Sequence, residues 1–179
     1  QADNFYYLTG CTEPNALLIL SPKGIKVKTG DSTTVTANEV LFVQARNPQM
    51  ESWTGRRLGV EGAMALLGFQ AAQTNDQFKM TFNRMLFSGI KYLYVPSVTT
   101  DITGDLRDLI APIVSYIDNQ KRRNSKVELR DPTAMVNILR VIKSPAEIAM
   151  LRTASEISAT AHRQAMMSAE PGMYEYEMQ

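Results

Sequence analysis

The chain has 179 residues and a net charge of +1, with 44% hydrophobic and 21% charged residues. This balance is typical of a globular protein and gives no reason to expect nucleic acid or an acidic membrane surface as a partner. No apolar run approaches the ~18 residues of a membrane span, and the single cysteine, Cys11, excludes an intrachain disulfide framework and fits a reducing compartment. We therefore expect a cytoplasmic protein with neither nucleic-acid nor membrane partners. Because no initiator methionine is present, we also expect trimming or processing at the ends.

In the first half of the chain, apolar runs alternate with turn residues. The continuous apolar run at residues 16–20 predicts a strand buried on both faces, and residues 21–24 predict a turn after it. Residues 53–59 are polar and glycine-rich, which indicates an exposed loop before a short helix at residues 61–67. The other runs with strand composition are residues 5–8, 25–28 and 39–45.

In the second half, helical patterns dominate. Apolar residues recur at helical spacing over residues 76–87 and 105–117, and Pro112 is expected to bend the second of these helices. Shorter predictions are a strand at residues 92–95, a charged loop at 121–126 and a helical segment at 131–137. Strands that alternate with helices predict an α/β fold with a mixed sheet and flanking helices.

A long helix is predicted near the end of the chain, within residues 143–173. Ser144 is suited to cap its N-terminus, Pro145 is tolerated at the first helical position, and Glu147 is spaced to close a capping box. Pro171-Gly172 predicts the end of the helix. Such a helix either folds back onto the upstream domain or begins a second one, and we place the domain boundary between residues 143 and 144.

Few residues carry an obvious chemical signal. His162, the only histidine, lies in the middle of the long helix, which favours a surface or interface residue over a catalytic one. A nucleophilic Cys11 would need a base close in space, and His162 is the only imidazole in the sequence. This favours Cys11 as a small, partly buried residue. The basic run at residues 121–126 lacks interleaved aromatics and indicates a solvated loop. No phosphate-binding loop, dinucleotide fingerprint or zinc motif occurs in the sequence.

Trp53 is the exception, because it is the only tryptophan and lies beside Arg56 and Arg57. A tryptophan next to two arginines is typical of a contact surface. The alternative is that the indole folds onto its own domain.

Three stretches of the sequence together resemble one family. They are NFYYLTG at residues 4–10 with EPNA at 13–16, LFV at 41–43 with ESW at 51–53 and GRRLG at 55–59, and LRVIKSPAEI at 139–148 with the helix that follows. In this order and spacing they resemble the Xaa-Pro aminopeptidases (aminopeptidase P) of the creatinase and prolidase group. The resemblance covers essentially the whole chain.

The resemblance implies a division into two domains. Residues 1–143 would form the mixed-sheet N-terminal domain of the group, and residues 144–179 the first helix of a larger "pita-bread" catalytic domain. That domain holds two divalent metal ions, commonly manganese, on two Asp, one His and two Glu, and their shared hydroxide attacks the peptide bond before proline. All five ligand positions of the family lie beyond Gln179, so no catalytic, cofactor-binding or metal-binding residue is expected in this chain. The sequence departs from the family in lacking the usual opening strand before residue 4.

The resemblance also implies a homo-oligomer that acts on proline-containing peptides. In oligomeric members of the family the tryptophan-containing loop can approach the catalytic cleft of a neighbouring subunit. Trp53, with Arg56 as a second candidate, is therefore the expected inter-subunit contact to substrate. The chain by itself is expected to have no peptidase activity with added Mn²⁺.

Two alternative functions stay open at this point. One is a non-catalytic relative that keeps the architecture and serves as a binding or scaffold module. The other is a prolidase or a creatinase, because these enzymes share the fold and a fold alone does not decide function.

Overall fold

The architecture is taken from a computed structural model, which describes residues 2–28, 33–96, 105–122 and 127–178. Its contacts divide the chain into two units, Gln1–Pro132 and Thr133–Gln179. The domain boundary predicted from the sequence, between residues 143 and 144, lies inside the second unit and stays a prediction.

A mixed sheet forms the centre of the first unit. Strand β1 (Leu17–Lys28) pairs antiparallel with β2 (Thr34–Val43), and β2 pairs parallel with β3 (Ala71–Thr74). Strands β4 (Tyr92–Tyr94) and β5 (Glu128–Arg130) form a second, parallel pair. The predicted α/β fold with a mixed sheet is therefore confirmed, although β3 and β5 were not predicted from the sequence.

Residues 21–24, predicted as a turn, instead form an irregularity inside β1. Strand β1 pairs regularly with β2 up to Leu20 and again from Ile25, so four residues lie opposite Asn38. The Nδ2 of Asn38 donates to the backbone oxygens of the first two of these residues, at 3.0 Å each. The prediction of a turn is wrong because these bonds keep the chain alongside β2 instead of reversing it. Burial of β1 on both faces is also wrong at Leu20, which is 57% exposed.

Residues 5–8, predicted as a strand, belong to helix α1 (Ala2–Thr9). Their aromatic composition favours a strand, but two local bonds close a helical turn. The Thr9 hydroxyl donates to the Phe5 carbonyl and the Gly10 N–H donates to the Tyr6 carbonyl, both at 2.7 Å. Gly10 then ends the helix with a φ of +62°, a conformation that glycine adopts without steric cost.

Helices cover both faces of the mixed sheet. On one face, α1 and α3 (Gly59–Leu67) pack on a cluster of buried side chains: Cys11, Leu41, Val43, Ala63, Phe69 and Ala72. On the other, α4 (Phe78–Leu86) and α5 (Asp105–Arg122) pack on a second cluster, whose largest members are Phe42, Phe78 and Phe82. Because neighbouring residues of β2 point to opposite faces, Leu41 and Phe42 each enter a different cluster. The helices predicted at residues 61–67, 76–87 and 105–117 correspond to α3, α4 and α5 and are confirmed.

The second unit contains helices α6 (Thr133–Val141) and α7 (Pro145–Ser168). The predicted capping box of α7 is confirmed: the Glu147 N–H donates to Ser144 Oγ at 3.3 Å, and the Ser144 N–H donates to Glu147 Oε2 at 2.6 Å. The predicted end at Pro171-Gly172 is wrong, because Ala169 already has extended backbone, with φ of −70° and ψ of 121°. No residue of α6 or α7 is buried.

Two remaining predictions concern helix α5 and its end. Pro112 lies inside α5, and the bend expected at this residue stays a prediction. Of the predicted charged loop, residues 121 and 122 belong to α5, and residues 123–126 lie outside the described residues. Within the described part of the chain, no helix is both long and apolar enough to cross a membrane.

Candidate functional site

Trp53 is carried by a short helix and not by the exposed loop predicted for residues 53–59. Helix α2 (Pro48–Thr54) begins after β2, and the Asn47 side chain caps it by accepting from the backbone N–H groups of the second and third helical residues, at 3.1 and 3.4 Å. The indole is 89% exposed, so the alternative of a tryptophan folded onto its own domain is wrong. Arg56, the second candidate, is exposed as well. We call residues 46–59 the Trp53 segment.

An ion pair fixes the first turn of the Trp53 segment. The Arg46 guanidinium binds the Glu51 carboxylate through two hydrogen bonds, of 3.0 Å from Nε and 2.7 Å from Nη2. This bidentate geometry is the strongest form of an arginine–carboxylate contact. The hydrogen bond from Arg46 lowers the pKa of Glu51, and a hydrogen bond from the Arg57 backbone and the charge of Arg56 act in the same direction. Glu51 is therefore bound to Arg46 at the start of the segment, while residues at its end influence the pKa of the same carboxylate.

Two glycines shape the end of the Trp53 segment. Gly55 follows α2 with a φ of +81°, and Gly59 begins α3 with a φ of +63°. A Cβ at Gly59 would lie 2.6 Å from Cγ of Arg46, which is far inside van der Waals contact. The GRRLG sequence is thus needed for backbone geometry at its first and last residues, and the arginines between them face different surroundings.

Glu13 contacts the same end of the segment from a distant part of the chain. Its Oε1 accepts from the Leu58 N–H at 3.0 Å, across 45 residues of sequence. Its Oε2 lies 3.9 Å from Nη1 of Arg57, and the Glu13 side chain is only 8% exposed. The partners of Glu13 and Glu51 could not be predicted from the sequence, because neither residue lies in a local pattern that indicates them.

An open groove of about 760 Å³ lies beside the Trp53 segment. Its walls include Asn47, Glu51 and Arg57 from the segment, together with Asn15 and Asn75. It lies where the parallel strands β2 and β3 end, the edge at which open α/β sheets commonly bind ligands. The groove contains polar side chains but no histidine and no cysteine among its lining residues, so it offers no pair of nucleophile and imidazole base.

Asn75 and Asp76, which directly follow β3, are also among the residues that line this groove. Asn75 Nδ2 donates to the Asn15 carbonyl at 2.8 Å, and its Oδ1 accepts no hydrogen bond. Hydrogen bonds from the side chains of Thr74 and Gln77 lower the pKa of Asp76. These contacts fix the loop that follows β3.

Cys11 is buried and His162 is exposed on a helix, and the non-catalytic role expected for each stays a prediction. Cys11 is buried, its N–H donates to Thr9 Oγ1 at 3.0 Å, and burial raises the pKa of its thiol. His162 is exposed on α7, with Nδ1 2.9 Å from the Ser158 carbonyl. The two residues lie in different units of the chain. Among the described residues, no group of three or more His, Cys, Asp or Glu side chains is arranged to hold a metal ion.

Comparison with known proteins identifies relatives for the whole chain. Residues 1–94 match the family described as "Aminopeptidase P, N-terminal domain". The Xaa-Pro aminopeptidase of Haemophilus influenzae is 31% identical over 179 residues, which is all of this chain and 36% of the relative.

Solved structures of Escherichia coli aminopeptidase P are similar in fold. The low-pH form is 31% identical with a TM-score of 0.71, and the match covers 98% of this chain and 38% of that one. A zinc-substituted form in complex with product is 30% identical with a TM-score of 0.68, covering 98% and 37%. The chain therefore spans less than two fifths of the length of the relatives that it matches.

Proposed function

The chain belongs to the aminopeptidase P N-terminal domain family, and from this premise we propose that it is the N-terminal part of a metal-dependent Xaa-Pro aminopeptidase. The parent protein would hydrolyse the N-terminal peptide bond that precedes proline. The observation that supports this most strongly is the similarity to such enzymes along the whole chain. In this proposal the chain supplies oligomer contacts and shapes access to the active site.

The proposal includes the domain division predicted from the sequence. Residues 1–143 would be the N-terminal domain, and residues 144–179 the first helix of the catalytic domain. The capping box at Ser144 supports a new structural element at this point. A cytoplasmic location is also part of the proposal, supported by the single cysteine of the chain, Cys11.

The metal centre of the proposed enzyme does not fit the described residues. No cluster of His, Cys, Asp or Glu among them is suited to hold an ion. The zinc-substituted relative supports metal dependence in the parent protein. We propose that two divalent ions, commonly manganese in this group, bind ligands that this chain does not supply.

In this proposal, Trp53 contacts substrate that is bound to a neighbouring subunit. An indole that is 89% exposed on a capped helix is unusual for a protein surface and typical of an interface residue. We propose that it contacts peptide in the cleft of a neighbouring copy within a homo-oligomer, with Arg56 as a second contact. Longer peptides reach further from the metal centre, so they would depend on Trp53 most.

A substrate comparison tests the proposed activity. The full-length protein with Mn²⁺ is assayed on an Xaa-Pro-Xaa tripeptide and on an Xaa-Pro dipeptide. An Xaa-Pro aminopeptidase cleaves the tripeptide. A preference for the dipeptide would indicate a prolidase instead, and no turnover of either peptide would indicate a non-catalytic relative or a creatinase, which a creatine assay distinguishes.

A substitution tests the proposed role of Trp53. In the full-length protein, Trp53→Ala should raise KM for longer peptides by about tenfold, which corresponds to about 1.4 kcal/mol of lost binding, and should leave kcat nearly unchanged. Phe87→Ala is the matched control, because Phe87 is 91% exposed and lies directly after α4, outside the Trp53 segment. A change in melting temperature without a change in KM would contradict the proposed contact.

A further inference from the structure

The Trp53 segment depends on contacts outside helix α2. This helix has seven residues and buries none of them. Isolated helices of that length are unstable in water, and this helix gains nothing from a buried face. Contacts at its two ends must therefore stabilise the helix. Because Trp53 lies near the last residue of α2, contacts at the C-terminal end matter most for the position of the indole.

The C-terminal end is held by a hydrogen bond from the Leu58 N–H to Glu13 Oε1, at 3.0 Å. The charge of Arg56 and the Arg57 backbone act on Glu51 as well, where they lower its pKa. Glu51 is itself part of the segment, so it cannot fix the segment to the rest of the fold. Glu13 lies before β1, so its bond joins this end of the segment to a part of the chain 45 residues away.

The surroundings of Glu13 make the bond a rigid one. The side chain is 8% exposed, and Arg57 Nη1 lies 3.9 Å from Oε2. Oε2 accepts no hydrogen bond. A buried carboxylate needs a counter-charge or hydrogen-bond donors to compensate its lost hydration. Moving the segment away from Glu13 would remove both the Leu58 donor and the Arg57 charge, which opposes such motion.

We propose that Glu13 is the positioning residue for Trp53. It fixes the end of α2 and so sets the direction in which the exposed indole points. That this matters for substrate rests on the proposed function. The hydrogen bond and the ion pair of the Glu13 side chain both go to the Trp53 segment.

The first test measures the mobility of Trp53 and needs no catalytic activity. Trp53 is the only tryptophan of the chain, so time-resolved fluorescence anisotropy of the 179-residue chain reports this indole alone. In Glu13→Ala the amplitude of the fast local decay should increase roughly twofold, because the end of the helix is released. In Glu13→Gln the increase should be smaller, because the amide oxygen still accepts from Leu58.

Glu128→Gln is the matched control, since it breaks an ion pair with Arg130 elsewhere in the same unit. It should leave the anisotropy decay unchanged. Circular dichroism checks that each variant is folded, and if Glu13→Ala does not fold, Glu13→Gln decides. A wild-type anisotropy decay in the folded Glu13 variants would overturn the proposal.

The second test measures coupling to substrate in the full-length protein. Glu13→Gln should raise KM for longer peptides roughly threefold with little change in kcat, and it should add nothing in a Trp53→Ala background. A residue with a purely structural role would change both backgrounds equally. If the anisotropy changes but KM does not, Glu13 still positions Trp53 and the proposed contact with substrate fails. If KM changes equally in both backgrounds, the positioning role fails.

Discussion

Helices α4 and α7 are fixed by opposite means. Helix α4 has no side-chain hydrogen bond at its cap, yet it buries Phe78, Thr81 and Phe82 against the sheet. Helix α7 has a complete capping box and buries no residue over its 24 positions. A cap determines where a helix begins, whereas burial of an apolar face supplies most of its stability in a protein. The contrast predicts that the two helices respond differently to the same kind of substitution.

The largest expected effect is the loss of a core aromatic in α4. Phe82 is 3% exposed, stacks on Phe78 at 5.6 Å and meets Tyr116 edge-on at 6.0 Å. Phe82→Ala should lower the free energy of unfolding by about 3–5 kcal/mol through lost burial and the cavity that remains. Urea unfolding followed by circular dichroism measures this change.

Ile157→Ala in α7 is the matched control for that experiment. Ile157 is 66% exposed, and surface substitutions usually change stability by less than about 0.5 kcal/mol. Equal effects of the two substitutions would mean that α7 is buried in solution, and the contrast between the helices would then be lost.

A smaller effect is expected from the cap of α7. Ser144→Ala removes the oxygen that accepts from the Glu147 N–H, and loss of such a cap costs about 1 kcal/mol of helix stability. Hydrogen exchange of the amides in the first turn should become roughly fivefold faster, which is about 1 kcal/mol of local opening. Thr153→Ala, on the exposed surface of the same helix, should leave those amides unchanged. If exchange in the first turn does not respond, the cap is not what holds the start of α7.

How far each element could be predicted follows from how local its cause is. The start of α7 was predicted correctly because Ser144, Pro145 and Glu147 carry the whole signal within four residues. Strand β3 has the sequence AAQT, and such short, small residues form a strand only because β2 lies beside them. The turn predicted before Ile25 failed for a similar reason, since the bonds from Asn38 come from another strand.

The candidate site shows the same division between local and distant causes. Trp53 and Arg56 were found because a lone tryptophan beside arginines is a compositional signal. That Trp53 lies on a helix was missed, although Asn47-Pro48 is a good helix start, because seven residues give too little periodicity. Glu13 could not be found, since its partner Leu58 is 45 residues away and no spacing rule connects them.

The smallest expected effect concerns the Trp53 segment. Its helix α2 has no buried face and is not stabilised by its cap alone. The hydrogen bond from Arg46 lowers the pKa of Glu51 relative to the usual value of 4.5. A lowered carboxylate pKa contributes stability that is present above the usual value and is lost as the pH falls through the lowered pKa. Trp53 fluorescence should therefore report loosening of the segment only below about pH 4.5. In Glu51→Gln this acid transition should disappear, and its persistence would assign the transition to another group.

The irregularity in β1 has a consequence for how this sheet tolerates changes in chain length. Residues 21–24 lie opposite Asn38, whose side chain replaces the missing ladder contacts. Strand β2 changes face at the same point, because Ala37 and Val40 enter the same cluster although they are three residues apart. An inserted or deleted residue at 21–24 would therefore change only the length of this unpaired stretch. Ile25 and Val27 would still face the core. Strand β1 can therefore change in length at this site while the pairing of its two ends with β2, and the core residues that they carry, stay the same.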